Sequence, residues 1–324
     1  MKKRVVVGLI LIVALVAAFA FRLIETYGLY IFDLFIGAIC IFCAIEASNL
    51  LSKCGNPTCQ IAAGLYPSFM FAGHMFYFIF SLDIYVYIII QLSILLAAFL
   101  IVFISYLFIN SKETILYKKQ NNIGRFKLAL LISSKTFLTF IYPSFMLLSL
   151  MVLNRIDAFG GSNISLFGGN LGWILLVAAF MIPIFSDTFA MLGGMAFKGP
   201  KLCKKISPNK TISGSVTSIL ATSLLMGGYY YLLTAFSSIN SALAGAGVTV
   251  WMFAVLGFFG SIVCQAGDLF ESKLKRRANV KDSGNIFPGH GGFLDRLDSH
   301  IFNAPFVLIF AIIFWELLFW GLME

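Results

Sequence analysis

Hydrophobic residues run through this chain in long unbroken stretches, separated by short clusters of Gly, Pro and charge. A stretch of about 20 apolar residues is what a helix needs to cross a bilayer. Nine occur, at 5–24, 28–51, 61–81, 84–109, 128–153, 171–197, 216–237, 243–268 and 303–323. The expected fold is all-α, a polytopic membrane protein of about nine transmembrane helices forming a single domain over 1–324. An odd number of spans puts the termini on opposite sides, and the placement of cations orients them. Segments 1–4, 52–60, 110–127, 198–215 and 269–302 hold 3, 1, 5, 5 and 6 Lys or Arg, which is 20 of the 23. The opposite side holds only Arg22 and Arg155, and Lys135 lies within a run. The N-terminus is therefore expected in the cytoplasm and the C-terminus outside. The first run, behind Lys2-Lys3-Arg4 and with Ala18-Phe19-Ala20 near its end, also fits a cleaved secretory signal. Its length, with Arg22 directly after, favours a retained helix.

Composition agrees with the pattern. Hydrophobic residues make up 60% and charged ones 11%, against about 25% charged in soluble proteins. A net charge of +9 would elsewhere point to nucleic acid. Here the cations follow topology, and no nucleic-acid partner is expected. Most of the six Cys lie in or beside apolar runs and imply no disulfide framework, and Cys54 and Cys59 lack His partners for zinc. No GxxxxGK[ST] phosphate loop is present.

One polar stretch is too rich to be a mere connector. Residues 268–298 read DLFESKLKRRANVKDSGNIFPGHGGFLDRLD and contain five of the 14 acidic groups and six of the 23 basic ones. Carboxylates suit Mg²⁺, which takes oxygen ligands, and Lys and Arg suit phosphate. The combination fits a metal-nucleotide site. If 268–272 is helical, Asp268, Glu271 and Ser272 share a face, and Asp295 and Asp298 do so if 293–302 opens the last helix.

The stretch resembles the signature of the phosphatidate cytidylyltransferase (CDP-diacylglycerol synthase) family. Ser272, Leu274, Lys275, Arg276, Lys281, Asp282, Gly284, Phe287, Pro288, His290, Gly291, Gly292, Phe293, Asp295, Arg296, Leu297 and Asp298 fill every fixed position over 27 residues. A second resemblance, to the same family, is partial. Asp187, Thr188, Ala190, Ser207, Pro208, Lys210, Thr211 and Gly214 fit, but Met191 replaces Tyr and Ser213 replaces Glu. Lys198-Gly199 also reverses the family's Gly-Lys order.

The resemblance implies transfer of CMP from CTP to phosphatidate in the bilayer, giving CDP-diacylglycerol and pyrophosphate for phospholipid synthesis. It implies Mg²⁺ held by Asp268 and Asp295, and leaves a second, monovalent cation open. Asp268, Ser272, Lys281, Asp282, Asp295 and Asp298 are the expected catalytic residues. Asp187, Ser207, Lys210, Lys275, Arg276, His290 and Arg296 are the expected substrate-binding ones, with His290 equally able to shape its Gly-rich turn. The site is expected at the cytoplasmic face of the membrane, the cell membrane in a bacterium, where CTP from the cytoplasm meets a lipid headgroup. A homodimer stays open. Two other readings stand beside this one: a CTP-dependent kinase of a lipid alcohol such as a polyprenol, and a membrane transporter using Asp187, Lys135 and Glu316.

Overall fold

Every apolar run with described residues folds as a helix. The computed structural model describes residues 13–22, 24, 27–55, 57–80, 82, 84–109, 112–159, 171–245, 247–287, 289 and 291–321. Residues 5–12 of the first expected helix, and with them its link to Lys2-Lys3-Arg4, lie outside these; α1 is Val13–Arg22. There follow α2 (Gly28–Lys53), α3 (Gln60–Ile79), α4 (Ile84–Phe108), α5 (Lys112–Asn121), α6 (Arg125–Thr139) and α7 (Met146–Asn154), with a π-helical turn (Phe140–Phe145) around Pro143 between the last two. After the short α8 (Ile156–Phe159) come α9 (Leu171–Phe197), strands β1 (Lys201–Cys203) and β2 (Ser207–Thr211), α10 (Ile212–Thr234), α11 (Ser237–Gly245), α12 (Val250–Arg277) and α13 (Leu294–Gly321).

Seven helical stretches among the described residues are long and apolar enough to cross a membrane: Gly28–Lys53, Ile84–Phe108, Arg125–Asn154, Leu171–Phe197, Ile212–Thr234, Val250–Arg277 and Leu294–Phe314. Their outer faces carry Leu, Ile and Phe. On α4 alone Ile88, Ile89, Leu92, Leu96, Leu100, Ile101 and Ile104 are all exposed, as lipid-facing positions should be.

The differences from the hydrophobic reading lie at the polar ends. Segment 110–127, read as a connector, contains α5, and 198–215 folds as an antiparallel hairpin pairing Lys201 with Thr211 and Cys203 with Ser207. The run ending at 268 continues as helix to Arg277, and the last helix begins at Leu294 rather than 303. The first extension, LFESKLKRR, is rich in Leu, Glu, Lys and Arg, good helix formers that an apolar-run criterion overlooks, and the second, LDRLDSHIF, opens with acidic residues suited to a helix N-terminus.

The chain forms two units, one of 1–148 with 274–296 and the other of 149–273 with 297–324. In the first, α2 packs on α3, and α4 on α6. His74 sits at its centre, fully buried, with Nδ1 3.1 Å from the Tyr87 hydroxyl and Nε2 3.6 Å from Asp33. Isolated ionisable groups in apolar helices are expected to find such neighbours. Cys40 and Cys43, in C-x-x-C spacing, are free thiols buried in α2. In the second unit, α9 packs along α10. Its first turn is capped by Asp157, which accepts from the backbone N–H of Leu171 (3.1 Å) and Gly172 (2.9 Å).

Candidate active site

The expected site residues form one cluster in each unit. In the second unit, α9, α10 and α12 are fastened by a buried ring of hydroxyls. Ser186, Ser218 and Ser261 lie 2.9–3.0 Å from one another. Gln265 extends the ring, donating to Ser261 Oγ at 3.3 Å and accepting from Ser215. A hydroxyl or amide in an apolar interior must be hydrogen-bonded, so this ring sets how the three helices approach. Helix α13 is tied to α9 by Asn303, whose amide donates to the Ala179 carbonyl at 2.8 Å. A side chain at Gly267 would collide with the Asp298 carbonyl, so α12 and α13 come into backbone contact.

That scaffold places three carboxylates. Asp187 follows Ser186 on α9, Asp268 is three residues after Gln265 on α12, and Asp298 lies in the first turns of α13. Asp187 is in electrostatic range of Asp268, Asp298 and Lys210. Asp268 forms an ion pair with Lys210 and accepts from Ser272 Oγ at 3.1 Å. The Ser272–Asp268 bond joins i and i+4, as the face-sharing argument expects. Lys210 arrives on β2, whose last residue Thr211 caps α10 by accepting from the Gly214 N–H at 3.1 Å. Ser207 is the other end of that short strand. Hairpin, cap and helix together deliver one cation to one carboxylate.

In the first unit the centre is Asp295. Its Oδ1 accepts from Lys275 Nζ at 2.8 Å. Its Oδ2 accepts from the Ser283 N–H (2.8 Å), Ser283 Oγ (2.9 Å) and the Gly292 N–H (2.8 Å). A carboxylate with four donors is a strong tie, and this one closes the signature loop on itself. Gly291 is required twice: its φ of +83° suits glycine, and a Cβ there would fall on Asp295 Oδ2. Arg276, Lys281, Asp282 and Arg296 are exposed around this knot. His290 and Pro288 lie outside the described residues.

Asp268 and Asp295, expected to share one Mg²⁺, fall in different units, and within its own unit each has a separate set of partners. Among the described residues no three His, Cys, Asp or Glu groups are drawn tightly enough together to hold a metal. Mg²⁺ does not demand such a cage; it is commonly held by one or two carboxylates, substrate phosphates and water. Asp268 is a hard oxygen donor paired with Lys210, and Asp187, in electrostatic range of Asp268 and Asp298, adds the negative charge that suits a further cation there.

Ser283, which donates twice to Asp295, and Glu46 on α2, which accepts from the Leu294 N–H at 2.8 Å, carry much of this architecture and have little sequence signal. Ser283 occupies a variable position of the signature. Glu46 shows only as a carboxylate at the end of an apolar run.

The departures from the family pattern also acquire a physical setting. Ser213 accepts from the Gly199 N–H at 3.0 Å and lies 3.3 Å from Thr211 Oγ1, bracing the chain between α9 and the hairpin. Lys198 occupies the left-handed region (φ 45°) just past α9, where Gly would be unstrained. The Ser213 hydroxyl thus serves backbone and cap rather than the carboxylates and cations of the site. Ser213→Glu is accordingly expected to change turnover by less than about tenfold, or 1.4 kcal/mol of barrier. A larger gain in a steady-state assay would mean that Ser213 weakens the site itself.

Residues 2–314 match the model of the cytidylyltransferase family. A phosphatidate cytidylyltransferase of Rickettsia felis is 40% identical over 141 residues, covering 44% of this chain and 60% of that protein. Its counterpart in Rickettsia typhi is 39% identical over 137 residues, 40% of this chain and 56% of the relative. The Brucella abortus biovar 1 enzyme is 40% identical over 160 residues, 49% of this chain and 55% of the relative. The alignments thus span somewhat more than half the length of these relatives. With the family match running over nearly its whole length, the chain belongs to the cytidylyltransferase family.

Proposed function

We propose that this protein transfers the cytidylyl group of CTP to phosphatidate, giving CDP-diacylglycerol and pyrophosphate. The observation that carries the reading is the Asp268 cluster. It gathers a paired lysine and two further aspartates at the polar end of apolar helices, on residues of the 268–298 and 187–214 stretches. The names of the relatives agree with it.

The chemistry asks for positioning and charge more than for a base. An oxygen of the phosphatidate phosphate forms a bond to the α-phosphorus of CTP. The bond from that phosphorus to the β-bridging oxygen breaks, and pyrophosphate leaves with the electron pair. The nucleophile is already anionic, so the main obstacle is repulsion between it and the triphosphate. Lys210 beside Asp268 and Lys275 beside Asp295 are fixed cations that offset such charge, and Arg276, Lys281 and Arg296 are exposed partners for phosphate. Mg²⁺, carried on CTP and held through Asp268, would supply further neutralisation of the phosphate oxygens.

The isotope position in CTP tests the reaction type. Label at the α-phosphate should enter the lipid fraction when phosphatidate is supplied, and label at the γ-phosphate should leave as pyrophosphate. Entry of γ-label into lipid would instead mean a CTP-dependent lipid kinase.

The membrane arrangement is part of the proposal. The seven described spans, α1 and the 20-residue α3 make nine crossings, with the N-terminus and the site at the cytoplasmic face of a bacterial cell membrane. Cys203 on β1 tests it, because it lies in the 198–215 segment expected on the cytoplasmic side. With the other five Cys replaced, Cys203 should react with a membrane-impermeant maleimide only after permeabilisation. Labelling in intact cells would reverse the orientation.

A further inference from the structure

Glu46 lies on α2, more than two hundred residues before the signature loop, yet its carboxylate is buried against that loop. Oε2 accepts from the backbone N–H of Leu294 at 2.8 Å, the first residue of α13, and is 3.4 Å from Ser283 Oγ. Glu46 is 4% exposed. Oε1 has no hydrogen-bond partner among the described residues. Two glycines of the signature, Gly284 and Gly292, have their absent side chains replaced by this carboxylate, since a Cβ on either would fall on Glu46. One helical turn earlier on the same face, Phe42 stacks on Phe293 with ring centroids 5.0 Å apart and planes at 14°. Phe293 in turn meets Phe287 edge-on at 4.7 Å. A buried carboxylate persists only where its hydrogen bonds offset the lost hydration, and here Leu294 and Ser283, which donate them, both belong to the signature loop.

We propose that Glu46 is a positioning residue for cytidylyl transfer. With Phe42 it forms a seat on α2 that fixes the backbone at Ser283, Gly284 and 292–294, and through Ser283 and Gly292 it holds Asp295 in its four-donor arrangement. The role in transfer rests on the function proposed above; the seat itself does not. It also gives a reason for glycine at 284 and 292 that turn geometry alone does not supply, since neither has a left-handed φ. The small residues make room for a carboxylate from another helix.

Hydrogen–deuterium exchange on the detergent-solubilised full chain, without substrate, reads the seat directly. In Glu46→Ala the amides of 283–294 should exchange at least about tenfold faster, while those of α9 and α10 keep their rates, because local opening follows local contacts. Glu46→Gln keeps an oxygen for the Leu294 N–H and should retain most of the protection. In steady-state assays Glu46→Ala should lose at least about tenfold in kcat, and Glu46→Gln should recover most of it. Gly292→Ala should damage the native protein, because its Cβ meets Glu46, but add little to Glu46→Ala, where the space is open. Should Glu46→Ala not fold, Glu46→Gln and Gly292→Ala still report. Unchanged exchange at 283–294 in Glu46→Ala or in Gly292→Ala, or full additivity between 46 and 292, would overturn the proposal. An unmodified protein inactive on phosphatidate would count against the proposed function and leave the exchange result standing.

Discussion

Asp268→Asn is expected to lower cytidylyl transfer by about 10²-fold or more, with little change in thermal stability. Asn keeps the shape of Asp and an oxygen for Ser272 Oγ, which donates to Asp268 at 3.1 Å. It removes the anion that faces Lys210. The Lys210 and Asp268 side chains are 22% and 23% exposed, so Lys210 left without its partner still reaches water, and the loss of folding energy stays below that at a fully buried pair. In the transition state the same charge would hold the cation that neutralises the phosphates, a contribution of several kcal/mol, and each 1.4 kcal/mol is tenfold in rate. Turnover of the purified variant, with its melting curve beside it, checks both halves. Lys273→Ala is the control: Lys273 is exposed and outside the fixed signature positions, and its loss should change turnover little. A well-folded Asp268→Asn protein with near-normal turnover would remove Asp268 from the chemistry.

Asp295→Asn should behave differently, losing activity and stability together. Its carboxylate is 4% exposed at the side chain and meets four donors: Lys275, the Ser283 N–H, Ser283 Oγ and the Gly292 N–H. Asn offers one acceptor oxygen and turns an N–H₂ group toward the remaining donors. Removing one partner of a buried charge pair typically costs about 3–5 kcal/mol. The variant should therefore melt well below the native protein in the same detergent, and its transfer rate should fall by about 10²-fold or more as the loop loses its closure. An Asp295→Asn protein as stable as the native one would show that the four-donor knot contributes little.

These two aspartates illustrate what the sequence discloses. That Asp295 belongs to a site was legible from spacing, because the fixed positions over 272–298 fill a pattern that few loops would need, and Asp268 stands four residues before the first of them. Their partners were not. Lys275 with Asp295 is a contact across a turn, and Lys210 with Asp268 depends on a hairpin that no apolar periodicity announces. The helices were legible where they are apolar, from Gly28 onward, and misread where they turn polar. Asp268 sits inside α12, nine residues before its end at Arg277, rather than at a helix foot. Glu46 was the least legible. A lone carboxylate in an apolar run looks the same whether it snorkels to the interface or seats a loop, and only the contacts of Glu46 with Gly284, Gly292 and Leu294 decide.

The proposed reaction is tested most directly by purified protein with CTP, phosphatidate and Mg²⁺, assayed with and without a chelator. The account predicts equal amounts of CDP-diacylglycerol and pyrophosphate, loss of both with the chelator and their return when Mg²⁺ is restored. Failure of the folded protein to convert phosphatidate, or a rate indifferent to the chelator, would contradict it.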